Sequence, residues 1–211
     1  MNLYWTPAVW SQIGELTLEH LWMTGIAMLI AIGIAVPLGI YAAESPGIAR
    51  WLIGFANVVQ TVPSLALFGM LLPLPWLGEQ ASRIAIVALA GYALLPILRN
   101  TYAGLRGIEP NLLDAAEALG LNWWQRLTIV RLPLAASFIL AGIRTATVIC
   151  IGIATIAAAV GAGGLGELIF RGVASVDNKL VLAGALPAAA LALLADGALG
   201  LVEHALRNRT R

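Results

Sequence analysis

Charge is scarce in this sequence of 211 residues: 11% are Asp, Glu, Lys or Arg, against 60% hydrophobic, where soluble domains carry about 25% charged residues. Mean hydropathy is +0.89. This balance excludes an ordinary soluble domain and predicts an all-α polytopic membrane protein. The net charge of +1 also lacks the clustered Lys and Arg footprint that nucleic acid requires, so no nucleic-acid partner is expected. The single cysteine, Cys150, can form neither an internal disulfide nor a CxxC site and reads as packing. The two histidines, His20 and His204, lie far apart and read as interface residues. HExxH, Ser-His-Asp and Cys-His groupings are missing, so no metal site and no catalytic residue is expected. No GxxxxGK[ST] phosphate loop occurs, and the polar loops are too short for a nucleotide-binding fold. If the chain does energised work, the energy comes from a partner, and the chain itself is expected to hold no cofactor and to be no enzyme. The first twenty residues, MNLYWTPAVWSQIGELTLEH, lack the basic start of a cleavable signal peptide, which predicts that the first span is retained.

A membrane helix needs about 20 mostly apolar residues, and five runs qualify. They are Leu21 to Ala43, Trp51 to Gly78, Ile84 to about Leu105, Leu134 to Val160, and Leu180 to about Val202. The second run contains Pro63, Pro73 and Pro75; a break at Pro63 splits it and gives six spans as the alternative. Everything reads as one domain over residues 1–211, with a polar loop at about 107–133.

Basic residues in short loops mark the cytoplasmic side. With five spans and the N-terminus outside, Arg50, Arg99, Arg106, Arg126, Arg131, Arg207, Arg209 and Arg211 fall inside, and only Arg83, Arg171 and Lys179 outside. This predicts an external N-terminus and a cytoplasmic C-terminus. Tyr4, Trp5, Trp10, Trp22 and Trp76 then fit an outer aromatic belt, and Trp51, Trp123 and Trp124 an inner one.

The loop DAAEALGLNWWQRLTIVRLP, Asp114 to Pro133, is the polar exception. Leu112, Leu113, Ala116 and Leu119 recur at helical spacing; Asn111 is the expected N-cap, and Asp114 and Glu117 suit the first turns through the helix dipole. Gly120 permits a left-handed turn, and Asn122 can cap a second short helix with Trp123, Leu127 and Val130 on one face. Pro133 is expected to end the polar segment and open the fourth span. The product is a pair of short helices, hinged at a glycine, lying along the cytoplasmic face as a docking surface.

This loop resembles the coupling loop of ABC importer permeases, whose pattern is EAA, three residues, G, nine residues, I, one residue, LP. Here Asp114-Ala115-Ala116 precedes Gly120 by three residues, and nine more lead to Val130, Arg131 and Leu132-Pro133. Asp114 replaces the usual Glu and Val130 the usual Ile. QTVPSLALFG (60–69), LLPILRNTYAGL (94–105), GIRTATV (142–148) and GAGGLGELIF (161–170) are also similar to stretches of permeases for glycine betaine, carnitine and choline. Methionine-type permeases share the coupling loop and a glycine-rich segment. The resemblance implies the membrane subunit of a binding-protein-dependent importer in a bacterial plasma membrane, whose partners are cytoplasmic ATPase subunits, a second permease subunit, an external substrate-binding protein and membrane lipid. It implies that Asp114, Ala115, Ala116, Glu117, Gly120, Val130, Leu132 and Pro133 couple to the ATPase. Competing readings are a secondary transporter, which would show internal repeats and midplane ionisable residues, and a membrane scaffold.

Other residues carry two readings each. Gln60, Thr61, Pro63 and Ser64, with Tyr92 in the third span, either line the transport path at a proline break or form helix–helix hydrogen bonds. Arg144 lies about ten residues into a membrane helix, where charge is costly; it serves either the path or a structural pairing, with Asp196 or a backbone carbonyl as partner. Gly161, Gly163, Gly164 and Gly166 form either an outer gate or a tight exit turn.

Overall fold

Alanines one turn apart decide which helices meet. In the computed structural model, which describes the backbone of residues 7–209 and the side chains of 9–206, Ala27, Ala31 and Ala35 form a fully buried stripe on helix α1 (Pro7–Glu44). They pack against Ala85, Ala88 and Leu89 of α4 (Ala81–Arg106), which packs in turn against Ala146, Cys150 and Ala154 of α7 (Leu132–Ala157). Lipid gives apolar side chains no reason to prefer each other, so small residues that let helices approach closely hold such a bundle together. At Gly142 α7 comes close to α4: a Cβ there would lie 2.8 Å from the Pro96 carbonyl and 2.7 Å from Asn100 Cβ. Tyr4, Trp5 and Arg211, and the side chains of Arg207 and Arg209, lie outside the described residues.

Two helices differ from the expected spans for readable reasons. α1 begins well before Leu21 and is about 57 Å long at 1.5 Å per residue, nearly twice the hydrocarbon thickness. Its early turns continue because Ile13 and Leu16 are buried against Leu165 and Leu168, at the start of helix α8 (Gly166–Ala174), and against Ala183 of α9 (Asn178–Arg209). The second run is α2 (Pro46–Thr61) and α3 (Ser64–Leu71), bent by 95° at Val62-Pro63. α3, at about 12 Å, is too short to cross, so the six-span alternative is corrected: four helices qualify alone, and five spans result when the bent pair counts as one.

After α4 come the short α5 (Pro110–Ala118) and α6 (Trp123–Gln125), a π-helical stretch Arg126–Arg131, and α7. A glycine-rich turn leads to α8 (Gly166–Ala174), then to α9 (Asn178–Arg209), which packs on α7 and α8. The α5–α6 loop and the glycine turn therefore sit at opposite ends of α7.

Candidate coupling surface and transport path

The α5 helix ends as its sequence dictates. Gly120 adopts φ +79°, its N–H bonds the Glu117 carbonyl at 2.9 Å, and the Leu121 N–H bonds the Ala116 carbonyl at 3.2 Å. This is the paired-bond glycine termination of a helix. Two residues further on, the Asn122 side chain accepts from the Gln125 N–H while the Gln125 side chain accepts from the Asn122 N–H, both at 2.9 Å, a capping box that starts the next helix. An ion pair between Glu117 and Arg126 straddles the bend, and another between Glu44 and Arg131 ties the loop to the end of α1.

Two details of the expected loop are corrected. The first helix starts at Pro110, with Glu109 rather than Asn111 in the capping position, because proline fits the first helical turn and leaves no N–H to satisfy. Pro133 falls in the first turn of α7, as expected, but the second short helix does not end before it. It runs into α7 through the π-helical stretch, where the Leu132 N–H reaches Leu127 O; the wider turn makes room for a proline ring that would clash inside a regular helix. Leu127 is buried, Val130 and Leu132 are half-buried, and Pro133 is exposed. On α5, Ala116 is buried while Asp114, Ala115 and Glu117 are exposed, and Leu119 stands 81% exposed beside the bend. An acid, a small residue and a leucine knob thus face outward on a short, firmly capped helix.

Gln60, Thr61, Pro63, Ser64 and Tyr92 meet at the α2–α3 elbow. Pro96 has no N–H to give the carbonyl one turn back, Tyr92 O, and Gln60 Nε2 donates to that oxygen at 3.0 Å. The Tyr92 hydroxyl donates in return to Val62 O at the elbow. The carbonyl freed by Pro96 and the carbonyl left at the α2–α3 break are thereby both satisfied between helices. The Thr61 hydroxyl donates to Val58 O at 2.7 Å. The Gln60 and Tyr92 bonds join helices, whereas the Thr61 bond stays within α2. Arg144 is elsewhere: its guanidinium takes Asp196 bidentately at 2.6 and 2.7 Å and reaches Glu203 at 3.3 Å, clamping α7 to α9. The structural pairing with Asp196 is the one the geometry carries.

The glycine turn is held from outside. Gly161, Gly163 and Gly164 have φ of +80°, +83° and +75°, and the Gly164 N–H donates to Glu19 Oε2 at 3.0 Å. Gly166 packs so close to the Thr155 carbonyl that a Cβ would sit 1.9 Å away. His20 is corrected from an interface residue to a fully buried one whose Nε2 lies 3.1 Å from Ile151 O; it pins α1 to α7 beside the turn. Sequence reading missed Glu19, His20 and Pro96. Only Pro96 carried a signal, standing four residues after Tyr92. Cys150 is buried, with Sγ 3.4 Å from Leu89 O, as its packing role requires.

The family described as binding-protein-dependent transport system inner membrane component matches residues 35–208. The chain belongs to this family. Among curated relatives, the permease is 43% identical over 198 residues to the carnitine transport permease protein OpuCD of Listeria monocytogenes, covering 92% of this chain and 87% of that one. It is 43% identical over 194 residues to the glycine betaine/carnitine/choline transport system permease protein OpuCB of Bacillus subtilis, covering 90% and 88%. It is 41% identical over 186 residues to the osmoprotectant import permease protein OsmW of Salmonella typhimurium, covering 87% and 86%. Among solved structures, a chain of the inward-facing MetNI methionine ABC transporter superposes with a TM-score of 0.81 over 95% of the permease and 99% of that chain, at 22% identity. That likeness is one of fold. The permease is thus a multi-pass membrane subunit of an ABC importer.

Proposed function

We propose that the permease imports quaternary-ammonium osmoprotectants, such as glycine betaine, carnitine and choline, delivered by an external binding protein. The identity of about 43% to permeases named for these compounds supports the substrate class. The observation that carries the mechanism is the α5–Gly120–α6 loop, an exposed docking element fused through α7 to the glycine turn at the far end. In this reading two ATPase subunits grip the α5 helices of two permease subunits, and Asp114, Ala115 and Leu119 meet the ATPase surface. ATP and magnesium bind the ATPase, which alone hydrolyses; the permease is no enzyme. Closure of the ATPases moves α5 and α6, and the continuous α7 carries that motion to the turn Gly161–Gly166, which serves as the outer gate. The loop faces the cytoplasm, the N-terminus lies outside the plasma membrane, and lipid surrounds the apolar faces. Gln60, Thr61, Pro63 and Ser64, with Tyr92, shape the path at the elbow, and Arg144 holds the wall beside it.

Purification from the native membrane tests the assembly: an ATPase subunit and a second permease subunit co-purify, and Gly120→Pro releases the ATPase. Uptake of labelled betaine, choline and methionine in the presence of the binding protein tests the substrate. Uptake of methionine alone would overturn the assignment, and uptake driven by an ion gradient without any ATPase would overturn the mechanism.

A further inference from the structure

At the glycine-turn end, a cavity of about 540 Å³ opens between α1, the start of α4 and the turn, lined by Glu19, Trp22, Met23, Ser82, Gly163 and Glu167 among others. That volume suits a small ligand. Among the described residues its lining holds two carboxylates and no lysine or arginine. Glu19 and Trp22 lie three residues apart on α1, hence on one helix face, and Trp22 is 57% exposed. Arg171 stands 3.5 Å from Glu167 and offsets part of its charge, whereas among the described residues Glu19 is met by the Gly164 N–H and by no cation.

We propose that this cavity is a weak site for a quaternary ammonium cation, using the Glu19 carboxylate, the Trp22 indole and the Glu167 carboxylate. A quaternary ammonium has no N–H to donate, so what recognises it is negative charge and an aromatic face, and both are supplied here. An anionic ligand is disfavoured by the same two carboxylates. The proposal rests on the osmoprotectant reading and places a stopping point for cargo beside the glycine turn. It also gives Glu19 a second role: the carboxylate that meets the cation is the one that holds Gly164, so an arriving cation competes for the turn's anchor and loosens it.

The test uses the intact importer, permease with its ATPase subunits, in lipid nanodiscs without the binding protein. Labelled choline is titrated with sodium chloride held at constant ionic strength, and tetramethylammonium serves as competitor. Saturable binding is expected, weakened about tenfold by Glu19→Gln and by about threefold to fivefold on Trp22→Leu, in keeping with an exposed cation–π contact. Glutamine still accepts the Gly164 N–H, so this variant removes the charge and keeps the turn; if it fails to assemble, Glu167→Gln and Trp22→Leu give the same reading. Glu15→Gln, on α1 outside the cavity lining, leaves binding unchanged. In transport, Glu19→Gln raises KM for cationic choline more than for zwitterionic glycine betaine. No saturable choline binding, or equal binding in wild type and in Glu19→Gln/Glu167→Gln, overturns the site. If the importer with its binding protein takes up choline while the cavity variants behave as wild type, the site alone falls; if it takes up no quaternary ammonium at all, the substrate reading falls with it.

Discussion

Replacing Gly120 isolates the contribution of the coupling bend. Its φ of +79° belongs to the left-handed region, and nothing lies within 4 Å of the position a Cβ would take. Gly120→Ala therefore meets no steric obstacle, and its whole cost is the backbone conformation, about 1–2 kcal/mol for an L residue held left-handed. If the ATPase recognises only the bent loop, that cost shifts the bent-to-unbent ratio by a factor of about 5–30 and lowers the apparent ATPase affinity by up to that factor. Gly120→Asn costs less, because Asn tolerates the left-handed region. Gly120→Pro costs more, about 3 kcal/mol or above, since it forces φ negative and deletes the N–H that bonds Glu117 O. Titrating purified ATPase against permease in nanodiscs, read by co-sedimentation and by stimulated ATP hydrolysis, should rank the variants Gly, Asn, Ala, Pro. Gly25→Ala serves as a control: that glycine also has nothing within 4 Å but lies inside α1, where alanine is the better helix former. Equal affinity for Gly120→Ala and wild type would refute the bent loop as the recognised state.

The elbow predicts coupled losses. Tyr92→Phe leaves Val62 O unpaired and Gln60→Leu leaves Tyr92 O unpaired, each at about 1–3 kcal/mol; thermal unfolding in detergent should show both, with the double variant less than additive because both bonds hold one elbow. Gly142→Ala drives a methyl against Pro96 O and Asn100 and should lower stability by about 1–3 kcal/mol, seen as a reduced Tm, while Gly152→Ala, with open space around it, should not. Asp196→Asn deprives Arg144 of its bidentate partner and should reduce the amount of folded permease in membranes, whereas Arg144→Met with Asp196→Leu should recover part of it, since the closely paired charges go together and only the part-exposed Glu203 loses a partner. A double variant as poor as Asp196→Asn alone would show that the charges themselves are required.

Much of the fold was legible because each part of it is decided within a single segment. The charge-free runs located α1, α4, α7 and α9, and Pro63 marked the break of the second span. Gly120 and the Asn122 cap announced the bend, since only a few residue types suit those backbone positions. The start of α5 was misread because Pro110, one residue before the expected cap, fits the first helical turn better. The end of α6 was misread because a π-helical turn absorbs Pro133, and nothing in the local pattern signals a change of hydrogen-bond register. The length of α1 was underestimated because Ile13 and Leu16 are sheltered by α8 and α9, which lie far along the chain.

Hydropathy and backbone preference act over a few turns, and they were enough to set the membrane class, the positions of the apolar helices, and a polar loop hinged at a left-handed glycine. The tertiary structure decided which polar atoms find each other: Glu19 with Gly164, 145 residues apart, His20 with Ile151, 131 apart, and Arg144 with Asp196, 52 apart. Those pairings depend on how each helix is rotated and how closely alanine and glycine let its neighbours approach, and a linear pattern of polar and apolar residues does not encode rotation about the helix axis closely enough to choose a partner.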